Sequence, residues 1–323
     1  MMIEKTAASA PGKIILFGEH FVVSGYPALV TAIEPRAVVR VQRSENTTVV
    51  KSGNIIGVWG KGGEQLYPPK NVKNHLQPLH DMAVKLLEDH GVREHFKAEI
   101  DSQIPGSAGL GSSAAVSVAF VKALSDLYGL GLGLEAIIRY AMLAEREFHG
   151  TPSGIDPHIA ALGGAILYNG PGKYSRIQVN HPTPVAVLHT GVRRKTSTMV
   201  AHVQDFAAKR PDIFRELAEL YGQVLSKGLH SLEQGDVKEL GKWMTVNHIL
   251  LRALGVSSDP VERALNDLLQ LGMYGAKLTG AGGGGCVIAV GPETSYSRLR
   301  GLPRHYQTFF TTQIACRGVV SES

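Results

Sequence analysis

The stretch Ile104-Pro105-Gly106-Ser107-Ala108-Gly109-Leu110-Gly111-Ser112-Ser113-Ala114-Ala115 decides how this chain is read. His95 to Ile104 precedes it and reads as a strand running into Pro105. A helical pattern follows, with Val116, Phe120, Ala123, Leu124 and Leu127 on one face and Gly129 as its stop. Ser112 or Ser113 is suited to cap that helix. Free N–H groups and the helix dipole gather at such a terminus and attract anions. Glycines let the backbone come close, and serine hydroxyls can ligate Mg²⁺ beside a phosphate. The segment therefore reads as a phosphate cradle.

Two better-known phosphate motifs are excluded. Gly109 to Ala114 fits the dinucleotide pattern G-x-G-x-x-A, but that pattern needs an acidic residue ~20 positions on, at the end of a second strand. Residues 129–134 stand there instead and lead into a helix. The P-loop pattern needs Lys after its last glycine, and Ser112 follows Gly111.

Further along, Ala276-Lys277-Leu278-Thr279 leads into Gly280-Ala281-Gly282-Gly283-Gly284-Gly285, with a strand from Cys286 to Val290. So many glycines are entropically costly in a merely structural hairpin. Close approach to a ligand or to the first glycine loop is the better account. Upstream, Ile14 to Phe17 and Phe21 to Val23 read as strands around a turn at Gly18-Glu19, and residues 28–43 as another strand. Helices are expected over 75–90, 134–148, 196–232 and 236–253, with a short one starting at Asp156-Pro157, where Asp is a good cap. Val185 to Leu188 reads as a buried strand that opens a second unit. The fold class is α+β, with domains over 1–180 and 181–323.

Composition sets limits. The 323 residues are long for one core, and the balance of 44% hydrophobic to 19% charged is that of an ordinary globular chain. The formal net charge is +5, but Lys and Arg are interspersed with Asp and Glu, and the densest basic run is only Arg193-Arg194-Lys195. No nucleic-acid partner is expected. Two cysteines cannot make a disulfide framework or a structural zinc site. No signal peptide or membrane span is read, so a cytoplasmic location is expected.

Among polar residues, Glu145 stands out. Ala141 lies four residues before it and Phe148 three after, so it falls on an apolar helical stripe. An unpaired carboxylate there is costly, and a cationic partner, Lys, Arg or a metal, is expected. Lys13, Glu19 and His20 alone would read as ordinary surface residues.

Taken together these segments resemble the GHMP kinase family. Ala10-Pro11-Gly12-Lys13 through Gly18-Glu19-His20 is similar to its first motif, Ile104 to Ala115 to its phosphate-binding second, and Lys277 to Gly285 to its third. His149-Gly150-Thr151-Pro152-Ser153-Gly154-Ile155-Asp156, with Glu145-Arg146 before it, is similar to the H-G-x-P-S-G-[VI]-D stretch of the mevalonate kinase branch, archaeal type. Thr190 to Thr196 matches T-x-V-P-R-S-T more loosely, with Arg193 for Pro and Lys195 for Ser.

The resemblance implies a first domain like ribosomal protein S5 domain 2, a ferredoxin-like second domain and a site in the cleft between them. It implies ATP-dependent phosphorylation of mevalonate with Mg²⁺, the alternative being another acceptor of the family: phosphomevalonate, a sugar or homoserine. Asp156 would be the base and Lys13 its partner. Ser113 and Glu145 would ligate Mg²⁺. Pro105, Gly106, Ser107, Ala108, Gly109, Leu110, Gly111, Ser112, Ser113, Ala114 and Ala115 would wrap the ATP phosphates. Glu19, His20, Arg194 and Thr196 would contact the acceptor. A homodimer is carried as the expected assembly.

Overall fold

The computed structural model describes residues 3–69, 71–106, 108–150, 153–170, 172–192, 196–302 and 306–322. Two sheets organise them. In chain order the elements are β1 (Lys5–Phe17), β2 (Ala28–Ser44), β3 (Thr48–Ser52), β4 (Ile55–Trp59), β5 (Gln65–Tyr67), α1 (Gln77–Asp89), β6 (His95–Ser102), α2 (Ser112–Leu127), α3 (Leu134–His149), α4 (Ile155–Leu162), β7 (Ala165–Tyr168) and β8 (Tyr174–Ile177). There follow β9 (Pro184–His189), α5 (Thr196–Lys209), α6 (Pro211–Gln234), α7 (Val237–Ala253), α8 (Asp259–Gln270), β10 (Gly275–Thr279), β11 (Cys286–Val290), α9 (Glu293–Ser297), β12 (Thr308–Gln313) and β13 (Val320–Glu322).

The first sheet runs β13-β1-β2-β6-β3-β4-β5. The long strand β2 pairs with β6 through Ala37–Ser44 and with β7 through Ala28–Thr31. Helix α2 lies across β1 and β2 and is flanked by α3 and α4. Its small residues Ala114, Ala115, Ala119 and Ala123 are fully buried, which lets helix and sheet approach closely. The second sheet has the order β10-β11-β9-β12, antiparallel throughout. With helices between β9 and β10 and between β11 and β12, this is the ferredoxin-like arrangement expected.

Several local expectations are corrected. Phe21–Ser24 is a 3₁₀ turn, because the chain reverses at Gly18 and closes at Gly25 in the left-handed region. The helical stretch 196–232 is two helices, broken before Pro211, which lacks the N–H to continue a helix. The last residues of the 181–323 unit leave the second sheet, and β13 pairs with β1. Arg36 fastens this return by donating to the carbonyls of Arg317 and Gly318. Among the described residues no helix is long and apolar enough to cross a membrane.

Candidate active site

The site forms where β1, the N-terminus of α2, the start of α4 and the glycine turn after β10 meet. Lys13 lies in β1, buried, and its backbone N–H donates to Leu110 O at 2.9 Å. Its Nζ stands 3.1 Å from Asp156 Oδ1. Lys13 is thus held from both sides of the glycine loop, and its ammonium faces a carboxylate from a turn far away in sequence.

Asp156 is not a helix cap. Helix α4 begins at Ile155, and Gly154, with φ 85°, takes the capping position. Asp156 therefore sits in the first turn with its carboxylate free for Lys13, about a third exposed. The turn is braced from below. Tyr168 donates its hydroxyl to Ser153 O at 2.7 Å, and His158 Nδ1 donates to Gly154 O at 2.7 Å. Only glycine fits at 154, since a Cβ there would stand 2.8 Å from the Tyr168 hydroxyl.

The expected helix cap at the glycine loop is corrected. Neither Ser112 nor Ser113 caps α2. Gly111, with φ 74°, precedes the helix, and among the described residues no side chain caps it. Those donors are left for a ligand. A Cβ on Gly111 would lie 2.8 Å from Lys13 Cγ and 3.7 Å from Asp156 Oδ2, so the helix N-terminus abuts the ion pair. Gly109 also takes a positive φ, and Ala108 and Leu110 are buried, anchoring the loop between exposed Gly106 and Gly109. Ser107 lies outside the described residues. The glycine turn of the second sheet rests against this loop. A Cβ on Gly280 would be 3.8 Å from Gly109 O, and one on Gly285 would be 3.7 Å from Ala108 O.

Glu145, on α3, is 2% exposed. Burial, reinforced by the Asp156 charge, pushes its carboxyl up to about 7, against the pull of Ser113 and Lys13. Among the described residues its Oε1 has no hydrogen-bond partner, while Oε2 lies 3.8 Å from His149 Nε2. That nitrogen is also 3.2 Å from Ser113 Oγ. A buried carboxylate oxygen with lone pairs unused by hydrogen bonds, beside a serine hydroxyl and a second carboxylate, fits a hard divalent cation. Among the described residues no group of three or more His, Cys, Asp or Glu could hold a metal by itself. Mg²⁺ needs only one or two protein carboxylates when phosphates supply the rest.

The expected acceptor contacts fare differently. Glu19 is buried, with Lys277 paired to Oε1 and Asn247 Nδ2 3.4 Å from Oε2. His20, at φ 64°, donates from Nε2 to Ala281 O at 2.8 Å. Burial lowers its pKa. Thr196 opens α5 and is exposed, and Arg194 lies outside the described residues. Sequence reasoning missed Tyr168, His158, His149, Thr279 and the role of Lys277. The signal was present only for His149, four residues after Glu145 on one helix.

Comparison with known proteins shows the family. The family models "GHMP kinases N terminal domain" and "GHMP kinases C terminal" match residues 77–164 and 229–307. The mevalonate kinase of Pyrococcus horikoshii is 36% identical over 305 residues, 90% of each chain. That of Aeropyrum pernix is 34% identical over 317 residues, 96% of each. Among solved structures, the Methanococcus jannaschii mevalonate kinase aligns with a TM-score of 0.83 at 25% identity, over 95% of this chain and 98% of that one. The L. major mevalonate kinase in complex with R-mevalonate aligns with a TM-score of 0.80 at 28% identity, over 96% of both. The chain is a two-domain small-molecule kinase and belongs to the GHMP kinase family. The relatives named above are mevalonate kinases.

Proposed function

We propose that this protein transfers the γ-phosphate of ATP to the primary hydroxyl of mevalonate. The observation that carries the reading is the Lys13–Asp156 pair abutting the uncapped N-terminus of α2 at Gly111. Support for the acceptor comes from the mevalonate kinases that match nine tenths of the chain and from the related structure bound to R-mevalonate.

The chemistry follows from what these residues can do. Phosphoryl transfer asks for positioning and neutralisation of charge more than for covalent work. The N–H groups of Ser112, Ser113 and Ala114 and the dipole of α2 face the phosphates. Lys13 pairs with Asp156 and contributes positive charge where the phosphoryl group passes. Asp156 accepts the proton of the attacking hydroxyl. Glu145 and Ser113 would hold Mg²⁺, which when bound neutralises phosphate charge. The acceptor would lie between the ion pair and His20.

The test is ADP release with mevalonate, phosphomevalonate, galactose and homoserine, each with ATP and Mg²⁺. Turnover with mevalonate well above the other three is expected. Turnover confined to another acceptor would reassign the substrate and leave the kinase chemistry standing.

A further inference from the structure

Lys277 lies at the centre of β10 and is completely buried. Its ammonium has three donors, and three oxygens meet them: Glu19 Oε1, Leu278 O at 2.6 Å and Ile15 O at 3.4 Å. Two of these acceptors belong to the first domain. Thr279, two residues on, adds a parallel link. Its hydroxyl accepts from Ile15 N at 3.0 Å and donates to Ile15 O at 3.2 Å. Asn247 of α7 reaches the other oxygen of Glu19. His20 then bonds Ala281, in the glycine turn that follows β10.

Burying two charges is expensive, and well-packed apolar residues of similar volume often serve stability as well or better. What an ion pair adds is a fixed register between the groups it joins. Here the groups are informative. Ile15 is two residues from Lys13 on β1. Glu19 adjoins His20, whose positive φ is costly for a non-glycine residue and persists only where the surroundings impose it. The glycine turn after Thr279 lies on the phosphate loop. One buried lysine therefore grips the strand that carries Lys13, the turn that carries His20 and the strand that leads into the glycine turn.

We propose that Lys277 is a positioning residue, which clamps the Gly18-Glu19-His20 turn and β1 across the domain junction and so sets the acceptor side of the cleft against the phosphate loop. The proposal deepens the kinase reading and rests on it. Lys277 is completely buried and presents no surface to a ligand in the cleft. It acts through Glu19, Ile15 and His20. Glu19 is then a strut and not a substrate contact.

The experiment compares Glu19→Gln with Glu19→Gln/Lys277→Met in the full chain, because Lys277→Met alone would leave a buried carboxylate unpaired. Both are assayed for cooperative thermal unfolding, ADP binding and kcat/KM for the acceptor per nucleotide-binding molecule. Misplacement by about 1 Å can cost on the order of 10²-fold, so the double variant should fall at least about tenfold below Glu19→Gln in kcat/KM. Both should keep cooperative unfolding and ADP affinities within about twofold of each other, as expected for an effect confined to the acceptor side. A purely structural pair would shift the unfolding temperature and leave kcat/KM per binding-competent molecule equal in the two variants, and that result overturns the proposal. Should the Met variant fail to fold, Lys277→Gln on the same background keeps polar atoms in the buried space and is read by the same criterion. Failure of the kinase reading is distinguishable, because the unchanged protein would then lack turnover.

Discussion

The Nζ of Lys13 stands 3.1 Å from Oδ1 of Asp156, although 142 positions separate the two in the chain (156 − 13 = 143, less one). The strand β1 brings one partner and the glycine-capped start of α4 the other. Because Gly154, not Asp156, occupies the capping position, Asp156→Asn leaves the cap untouched. It removes a favourable charge in the first turn, worth at most about 1 kcal/mol at a surface-exposed helix start, together with the carboxylate partner of Lys13. Turnover should fall by ~10²–10⁴-fold, the usual contribution of a positioned base. Steady-state kinetics beside thermal unfolding checks this. Near-normal turnover in the folded variant would remove Asp156 from the mechanism.

Glu145 gives a pH prediction. Its folded pKa of about 7 lies above the unfolded value near 4.5. A carboxyl with a raised pKa binds more protons when folded, so its penalty is absent below pH 4.5, grows through pH 7 and is complete above it. The full penalty is on the order of 3 kcal/mol by the linkage relation. Glu145→Gln should therefore stabilise the metal-free protein at pH 8 and flatten its stability profile between pH 4.5 and 7. The same variant should weaken Mg²⁺-dependent use of ATP. Unfolding curves in chelator across that range check the first part, and Mg²⁺ titration of turnover checks the second. A destabilised variant at pH 8 would mean that the carboxylate serves as a structural partner.

Gly111→Ala tests the cradle. The new Cβ would press on Lys13 Cγ at 2.8 Å and force a left-handed conformation on alanine. The backbone cost alone is roughly 1–2 kcal/mol. Turnover should drop further than stability explains, because the displaced side chain is the partner of Asp156. The comparison is with Gly106→Ala, where a Cβ meets nothing within 4 Å. Equal losses at both positions would argue against the close approach of Lys13 to the helix start.

Tyr168→Phe removes the hydroxyl that braces Ser153 O. A net cost of about 1 kcal/mol is expected for the lost hydrogen bond. A fall in kcat with little change in nucleotide affinity should accompany it, since the braced turn carries Asp156. An unchanged kcat would show that the turn holds without this support.

The pattern of what the sequence disclosed has a physical basis. The glycine loops, the stripe that buries Glu145 and the strand–turn–helix at 95–127 are local, and their periodicity and turn chemistry are written in neighbouring residues. The roles of Lys13 and Asp156 came through the family motifs, and the structure brings the two together. Glu19 read as a turn residue because nothing within the turn reveals that β10 and α7 will cover it. Lys277 sits in a strand whose residues are all buried, on both faces, so alternation gave no hint of its burial. The return of β13 to β1 likewise depends on a partner more than 300 positions away.

The central claim is the transfer of the γ-phosphate to the primary hydroxyl of mevalonate. It is tested most directly by phosphorus NMR of the product formed from ATP, Mg²⁺ and mevalonate. Mevalonate offers a primary and a tertiary hydroxyl. Phosphate on the primary oxygen couples to two neighbouring protons and gives a new phosphomonoester triplet, growing with the ADP signals, and this is the result predicted. ADP with inorganic phosphate alone, or an uncoupled phosphomonoester from the tertiary oxygen, would contradict it.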